Sequence, residues 1–491
     1  MAEIVRPISG RPAAASEAAV PAKPRTRAIS RVSRLRVTRH FIIALSVAYL
    51  AKQLIMVVLF PPFTGHDEVA HYAYLRTVAE EGRLPILLED RLPNELYPYC
   101  RYVLQWWCEP WNPRWLNDPP VRMTNGELEG MQYAANHPPL YYILMTPLYW
   151  LSASQPPEFQ QYLLRLAAIP FGLLVVLLAY RTTTTLFPGD RFLAFTVPAF
   201  VAFQPQVSYE AAMVNNDIIA IALYSAILYL LVRGFRDTYS GRTSVVLGVL
   251  LGLALVTKGT SLTVAPVIGL AVVASAGFRN VKQILSRGLV IGGSAIFVAW
   301  PWYFFLWRTY GNLSGLPQIA QLQQWNRPLG GFFDLLFDRE FVVMRFHETW
   351  GYFGWRLIPL PAWLLWAIAI PILFAAGGLV QYAVTAGPGN GTSEGDPVMH
   401  PAAWQRWALL VLAATCAIAY LAVVQFGTQF QLTQARYFFP AINAAAILLM
   451  LGVRTLIPPR WHGEGRAAVL LALIVLNVVI FSQFVIPFWQ L

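Results

Sequence analysis

The chain has 491 residues, of which 57% are hydrophobic and only 12% are charged. Soluble domains carry about 25% charged residues, so this composition excludes an ordinary soluble domain and indicates an integral membrane protein. The formal net charge of +11 does not indicate nucleic-acid binding. The basic excess lies in the N-terminal tail and in short loops between apolar segments, which is the charge pattern of membrane topology.

The N-terminal tail, residues 1–40, is basic and rich in Ala, Pro and Ser. This composition predicts a disordered tail that stays in the cytoplasm. The first apolar segment, residues 41–60, is long for a signal peptide, and no small-residue cleavage pattern follows it. We therefore interpret it as an uncleaved anchor. Residues 41–491 are then predicted to form a single integral-membrane domain.

Ten further apolar segments are predicted to cross the bilayer. They lie near 163–186, 192–207, 217–232, 243–257, 260–277, 288–307, 356–385, 406–426, 437–453 and 467–486. Lys and Arg concentrate in alternate connections, which the positive-inside rule assigns to the cytoplasm. With the anchor, these segments make eleven predicted crossings. Loops 61–136 and 308–355 then face the extracytoplasmic side, and 386–405 is a flexible cytoplasmic loop.

One more apolar segment, residues 140–153, does not fit this alternation. It contains Pro147 and is shorter than the roughly 20 residues that a spanning helix needs. We interpret it as a re-entrant or interfacial helix, and the alternative is an ordinary crossing with a different segment made re-entrant. The predicted fold is an all-α polytopic bundle of about eleven transmembrane helices plus this helix, with short amphipathic helices in the large first outer loop.

Two of the three cysteines, Cys100 and Cys108, lie in that first outer loop. In an oxidising compartment they are predicted to form a disulfide, and the alternative is a pair of reduced, packed thiols. Metal binding is not predicted there, because the loop offers no second cysteine pair or nearby histidine.

Two adjacent acids, Asp67 and Glu68, open the segment "GHDEVAHYAYLRTVAEEGRLP" directly after the anchor. The apolar spacing of this segment predicts a short amphipathic helix on the outer membrane surface. In the simplest interpretation, Asp67 caps the helix and Glu68 complements its dipole.

Other polar residues recur at the same predicted membrane depth, where ionisable groups often mark a functional path. They are Asn136, His137, Glu210, Asn215, Asn216, Asp217, Thr257, Lys258, Trp350, Trp355, Gln434, Arg436 and Tyr437. Lys258 interrupts an apolar hairpin, and the alternative for it is simple snorkelling to the interface. Trp350 is a candidate for stacking on a sugar ring, with an interfacial aromatic belt as the alternative.

A carboxylate with a lysine and an arginine at an outer membrane surface suits glycosyl transfer from a polyprenyl-phosphate sugar. The carboxylate is a candidate general base for an acceptor hydroxyl. Lys258 and Arg436 would stabilise the charge that grows on the leaving phosphate. The residues His71, His137, Asn216, Asp217, Trp350 and Tyr437 are then candidates for substrate binding.

The motifs "HDEVAHYAYLRTVAEEGRLP", "NHPPLYY", "VNND", "LALVTKGTSL", "WGYFGW" and "QARYFFP" resemble, in order and spacing, the DUF2142 family of bacterial polytopic membrane proteins. That family is related to the family 39 glycosyltransferases, a class with protein O-mannosyltransferases and aminoarabinose transferases. The resemblance implies a GT-C fold and a polyprenyl-linked donor. It also implies that Asp67 is the base, with Glu68 as second candidate, and that Arg436 faces the donor phosphate.

We assign no cofactor and no metal. Asp67 and His71 lie one helical turn apart, so they could share a cation, and an ion pair with protonated His71 is the equal alternative. The expected partners are the polyprenyl-phosphate donor, the lipid bilayer and an envelope acceptor, at a bacterial plasma membrane. Two other functions stay open: a transporter or flippase of lipid-linked glycans, and a non-catalytic envelope scaffold.

Overall fold

The computed structural model describes residues 26–93, 95–96, 99, 130–322, 328–389, 396–430 and 433–490, with only the backbone described at 26–37, 355 and 490. Cys100 and Cys108 lie outside these residues, so their disulfide stays a prediction. The first helix begins at Thr26, which corrects one predicted boundary. Residues 26–40, expected in the disordered tail, continue the anchor helix.

The N-terminal half of the fold is helical apart from its loops. Its helices are α1 Thr26–Leu59, α2 Glu68–Glu81, α3 Leu140–Leu151, α4 Pro157–Leu186, α5 Arg191–Phe203, α6 Pro205–Glu210, α7 Asp217–Asp237, α8 Gly241–Leu255, α9 Val264–Ala276 and α10 Val281–Tyr310. A 3-10 turn, Gly259–Thr263, precedes α9.

The C-terminal half contains the second large loop and four long helices. Its elements are α11 Leu316–Ile319, α12 Phe332–Leu336, α13 Arg339–Trp350, α14 Phe353–Arg356, β1 Ile358–Pro359, α15 Ala362–Thr385, α16 Ala403–Gly427, α17 Ile442–Leu456, α18 His462–Ile480 and α19 Ile486–Gln490. A 3-10 turn, Ala435–Ala441, leads into α17 and a second, Pro459–Trp461, into α18, while a π-helical turn, Phe481–Val485, joins α18 to α19.

The structure confirms the all-α membrane fold. Each of the eleven predicted crossings is helical. Within the described ranges, nine helical segments are long and apolar enough to span a bilayer. The other two predicted crossings correspond to the shorter apolar helices α5 and α8. Helix α3, predicted as re-entrant or interfacial, is also short.

An ion-pair cluster shows that the short helix α5 runs between the two ends of the bundle. Arg454, in the last turn of α17, donates to Asp190 just before α5 (2.7 Å) and to Asp396 in the loop before α16 (2.8 and 2.9 Å). At the far end of α5, Gln204 donates to the carbonyl oxygen of Thr349. The neighbouring Glu348 accepts a hydrogen bond from the backbone N–H of Ala435 (2.9 Å), next to Arg436. We call these two ends of the bundle the Arg454 end and the Arg436 end.

Glycines allow close packing between helices where little else would fit. A Cβ atom on Gly452 of α17 would overlap the carbonyl oxygen of Ala375 on α15, and one on Gly378 would overlap the carbonyl oxygen of Gly452. The two backbones therefore touch directly. This contact needs glycine for its lack of a side chain.

The Gly452→Ala substitution should destabilise the protein, because the added methyl group has to push α15 and α17 apart. Overpacking of this kind costs about 1–3 kcal/mol. Gly293→Ala on α10 is the matched control, since a Cβ there meets nothing within 4 Å. The apparent melting temperature in detergent should fall for Gly452→Ala and hold or rise slightly for Gly293→Ala. Equal effects of the two substitutions would contradict the packing argument.

Candidate functional site

The turn between α1 and α2 places Asp67 in an unusual backbone conformation. Asp67 occupies the N-cap position of α2 with φ 59° and ψ 11°, and its side chain makes no capping hydrogen bond. The simple capping interpretation is therefore wrong for Asp67. The first half of α2, from Glu68 to Leu75, is buried against the protein, and its last residues, Glu80 and Glu81, are exposed.

Glu68 forms a fully buried ion pair with Arg165 of α4. Arg165 donates from Nε to Oε1 (2.8 Å) and from Nη2 to Oε2 (2.6 Å), and both side chains are 0% exposed. The backbone N–H groups of Val214 and Gly65 also donate to Glu68, each at 2.8 Å. Four donors thus occupy both oxygens of Glu68. This environment identifies a structural carboxylate and gives no support to Glu68 as a base.

Gly65 is required for this arrangement. The Glu68 side chain folds back over the turn, and a Cβ atom on Gly65 would lie 2.6 Å from Glu68 Cδ. Arg165 adds three bonds to the end of α1, to the carbonyl oxygens of Val57, Phe60 and Pro61. The Glu68–Arg165 pair therefore ties α1, α2 and α4 together beside Asp67.

Asp67 begins a chain of alternating charges at the Arg436 end of the bundle. Tyr133 donates to Asp67 Oδ1 (2.9 Å), and Arg436 Nη2 donates to Oδ2. Arg436 Nη1 donates to Asp217 Oδ2 (3.3 Å), and Lys258 donates to Asp217 Oδ1. We call Asp67, Arg436, Asp217 and Lys258 the charge chain.

Four different elements supply the charge chain. They are the α1–α2 turn, the 3-10 turn before α17, the first residue of α7 and the end of the segment after α8. Residues that are 41 and 369 positions apart in the sequence are hydrogen-bonded. Lys258 is 8% exposed and points to Asp217, so the snorkelling alternative for it is wrong.

The electrostatic balance of the charge chain keeps Asp67 ionised. Burial alone would raise the pKa of Asp67. The charge and hydrogen bond of Arg436 outweigh burial and hold the pKa of Asp67 well below its usual range. The two carboxylates and the two cations balance, so the charge chain carries no net charge.

Two histidines adjoin the charge chain. His71 Nδ1 lies 2.8 Å from the Tyr142 hydroxyl, and the rings of His71 and His137 are 5.3 Å apart. Burial, and next the charge that His137 would carry when protonated, lower the pKa of His71 well below 6.5. Burial and the charge of Lys258 lower the pKa of His137 to about 4. Both rings are thus neutral at pH 7, which argues against an ion pair between Asp67 and protonated His71.

The other predicted substrate-binding residues divide into two groups. Asn216 donates to the carbonyl oxygen of Thr257 (2.9 Å) and lies 3.5 Å from His137 Nδ1, so it borders the site. The ring of Tyr437 lies 5.4 Å from Lys258 Nζ and 5.7 Å from Arg436 Cζ. Trp350 instead packs against Phe200 and is 5% exposed. Its environment is a packed core and does not support sugar stacking.

Sequence reasoning missed several residues around the site. Arg165 lies inside an apolar segment, where an ionisable residue is rare, and that signal could have identified it. Tyr133 carries no such signal. Among the described residues, no three His, Cys, Asp or Glu side chains are grouped to hold a metal ion.

Comparison with known proteins identifies the chain. A family model described as "Predicted membrane protein (DUF2142)" matches residues 52–445. The chain belongs to the DUF2142 family. No curated protein matches the sequence of this DUF2142 protein.

Solved structures show the fold of this DUF2142 protein. It is similar to apo ArnT from Cupriavidus metallidurans, with a TM-score of 0.51 and 14% identity over 92% of this chain and 74% of ArnT. The structure of ArnT bound to undecaprenyl phosphate has a TM-score of 0.49 and 14% identity, over 91% of this chain and 74% of ArnT. The apo oligosaccharyltransferase of Archaeoglobus fulgidus has a TM-score of 0.46 and 12% identity, over 91% of this chain and 55% of the oligosaccharyltransferase. The DUF2142 protein thus has a GT-C-like fold, which it shares with apo ArnT.

Neutralising the two adjacent acids should have unequal effects on stability. Glu68→Gln leaves the Arg165 charge buried without a carboxylate, a loss of about 3–5 kcal/mol. Asp67→Asn should cost less, because Arg436 keeps Asp217 as its partner. Thermal unfolding in detergent should show that the wild type is the most stable, Asp67→Asn is less stable and Glu68→Gln is the least stable. A Glu68→Gln protein as stable as wild type would contradict the structural role.

Acid should destabilise the protein through His71 and His137. Their pKa values are lowered on folding, so the unfolded chain binds more protons than the folded one. The stability from neutral histidines is complete above pH 6.5 and is lost as pH falls toward about 4. The apparent melting temperature of the wild type should therefore drop from pH 7 to pH 5. The drop should be smaller in His137→Asn. His400→Asn is the control and should show the same drop as the wild type. An unchanged slope in His137→Asn would contradict this assignment.

Proposed function

We propose that the protein is a membrane glycosyltransferase that transfers a sugar from a polyprenyl-phosphate donor to an envelope acceptor. The observation that carries the proposal is the charge chain at one end of a GT-C bundle. It combines an ionised carboxylate with two cations that suit a phosphate. ArnT, whose fold is similar, has been crystallised with undecaprenyl phosphate, which supports a lipid phosphate as the donor class.

The reaction assigns a distinct role to each member of the charge chain. The acceptor oxygen attacks the anomeric carbon of the sugar, and Asp67 takes the proton from the acceptor hydroxyl. The bond between that carbon and the phosphate oxygen breaks, and the electron pair stays on the leaving polyprenyl phosphate. Arg436 and Lys258 stabilise the negative charge that develops there. Asn216, His71 and His137 border this space and are candidates for holding the sugar hydroxyl groups.

Donor binding should make Asp67 a better base. Arg436 now holds the pKa of Asp67 low, and an acid with such a low pKa accepts a proton poorly. A phosphate that draws Arg436 toward itself weakens the Arg436–Asp67 interaction. The pKa of Asp67 would then rise toward the range in which a carboxylate is an effective base. Catalytic competence is thereby coupled to the presence of the donor.

The charge distribution supports an extracytoplasmic site in a bacterial plasma membrane. The basic loops lie at the Arg454 end, where α7 ends near Arg233 and Arg236 and α10 begins near Lys282. The positive-inside rule assigns that end to the cytoplasm. The Arg436 end, with the charge chain, would then face outward.

Asp67→Asn should lower the rate of sugar transfer from a polyprenyl-phosphate donor by roughly 10²–10⁴, the usual worth of a general base. Asp190→Asn is the matched control, because Asp190 shares Arg454 with Asp396 just as Asp67 shares Arg436 with Asp217. The measurement is single-turnover transfer by purified protein in lipid. Full activity of Asp67→Asn would refute Asp67 as the base, and equal losses in both variants would attribute the effect to damaged packing.

A further inference from the structure

An apolar groove follows the half of α10 that lies toward the Arg436 end of the bundle. Its lining extends from Ala295 to Trp307 on α10 and includes Leu255, the last residue of α8, and Leu313. At 1.5 Å per residue, this stretch of α10 is roughly 18 Å long. It covers more than half of a hydrocarbon core that is about 30 Å thick. We call this feature the α10 groove.

The different lengths of α8 and α10 account for the groove. The two helices touch closely, since a Cβ atom on Gly252 of α8 would lie 2.8 Å from the carbonyl oxygen of Ala295. Helix α8 ends at Leu255, whereas α10 continues to Tyr310. The last turns of α10 therefore extend beyond α8, and the groove occupies part of the space beside them.

The groove has a floor of small side chains and a wall of aromatic ones. Ala295 and Ala299 are buried in the floor. Trp300, Phe304 and Trp307 form a row along α10, with successive ring centroids 4.7 Å and 6.0 Å apart. The volume of the groove is about 400 Å³, which falls in the range of roughly 300–1,000 Å³ that is usual for ligand sites. The groove therefore has room for part of a long apolar chain.

The surroundings of the groove favour a lipid as its occupant. The segment Val281–Tyr310 is long and apolar enough to span a bilayer, and Trp300 and Trp307 are 52% and 58% exposed, so the groove opens toward hydrocarbon. Its surface is entirely apolar, so it offers contacts to a hydrocarbon chain and none to a polar head group. Within a bilayer, such a chain gains free energy by close packing, and a concave wall provides more contact atoms than a smooth helix face.

The charge chain offers a partner for a head group close to the groove. Lys258 follows Leu255 by three residues, and its backbone N–H donates to the carbonyl oxygen of Ala254 (3.0 Å). Three residues span at most about 11 Å, so the Cα atoms of Leu255 and Lys258 lie within that distance. Lys258 and Arg436 suit a phosphate. A lipid with a phosphate head and a long apolar chain therefore matches the charge chain and the groove together.

The aromatic row favours an isoprenoid chain over a straight acyl chain. Each isoprenoid unit carries a flat double bond and a methyl branch, and flat unsaturated groups pack well on aromatic rings in offset arrangements. A saturated acyl chain, which ordinary membrane lipids supply, has no such flat groups. The head group and the wall of the groove thus point to the same class of lipid.

We propose that the α10 groove holds the isoprenoid chain of the lipid-linked donor while the phosphate of the donor lies at the charge chain. This inference rests on the proposed function, from which it takes the class of donor. It adds α10, a helix that none of the sequence motifs includes, to the donor site. The donor would enter sideways from the bilayer, with its chain along the aromatic row.

Binding of undecaprenyl phosphate to the purified full chain in nanodiscs tests the proposal, measured by native mass spectrometry without turnover. The double substitution of Trp300→Ala and Trp307→Ala should weaken binding about 5-fold or more, because it removes two of the three rings of the row. The matched control is Trp363→Ala with Trp366→Ala on α15. These two tryptophans are 61% and 63% exposed and lie toward the same end of the bundle, so binding should change less than about 2-fold.

Two further ligands separate the chain of the lipid from its head group. Geranyl phosphate has the phosphate but only a short chain, so the wild type and the double variant should bind it equally. Undecaprenol has the long chain without the phosphate, so the double variant should weaken its binding by about the same factor as that of undecaprenyl phosphate. An equal loss for geranyl phosphate would show that the substitutions damage the charge chain, and it would overturn the assignment.

The remaining outcomes would assign the groove to other occupants. Equal binding of undecaprenyl phosphate by the wild type and the double variant would overturn the proposal. Competition by phosphatidylglycerol as strong as that by undecaprenyl phosphate would overturn it too, because ordinary acyl chains would then fill the groove. A dimer of the wild type that the double variant loses would assign this face to a second copy of the chain and would also contradict the proposal.

The same experiment separates this inference from the proposed function. A wild type that binds no undecaprenyl phosphate would refute both, whereas binding that does not depend on the aromatic row would refute only the groove. Failure of Asp67 as the base, seen in transfer assays, would leave the binding result unchanged. Should the double variant not fold, Trp300→Ala alone replaces it and should show a smaller loss of the same kind.

Discussion

The sharing of Arg436 between Asp67 and Asp217 is the interaction on which the site depends. A buried arginine is tolerated only when carboxylates and hydrogen bonds replace its lost hydration. Two acids provide that here, one from the α1–α2 turn and one from the start of α7. Lys258 then balances the second acid. Removing any one of these groups leaves the others with an uncompensated buried charge, so the four residues form one electrostatic unit.

The surrounding structure holds this unit in place. The Glu68–Arg165 pair joins α1, α2 and α4, and direct backbone contact at Gly452 joins α15 and α17. At the other end of the bundle, Arg454 is shared between two acids in the same manner. One such unit thus lies at each end of the bundle. The unit at the Arg436 end borders a small cavity lined by Arg436 and Gln434, and in the part of the chain that the structure describes Arg436 Nε and Gln434 Oε1 have no hydrogen-bond partner.

Much of the fold could be predicted from the sequence, because apolar length and basic loops are direct consequences of the bilayer. The same signals identified Asp67, Lys258 and Arg436 as a set, since all three lie at ends of apolar segments on one predicted side. The sequence does not predict that Glu68 pairs with Arg165 while Asp67 pairs with Arg436. The two arginines are far from the two acids in the sequence, and each of them pairs with a different acid. The packed environment of Trp350 could not be predicted either. An aromatic residue in a core and one in a sugar-binding site have the same local sequence pattern.

A structure of the protein with undecaprenyl phosphate bound tests the central claim most directly. Our account predicts the phosphate at the Arg436 end, with an oxygen about 3 Å from a guanidinium nitrogen of Arg436 and Asp67 on the side where the sugar would be attached. A phosphate bound at the Arg454 end, or on the bundle surface away from Arg436, would contradict it.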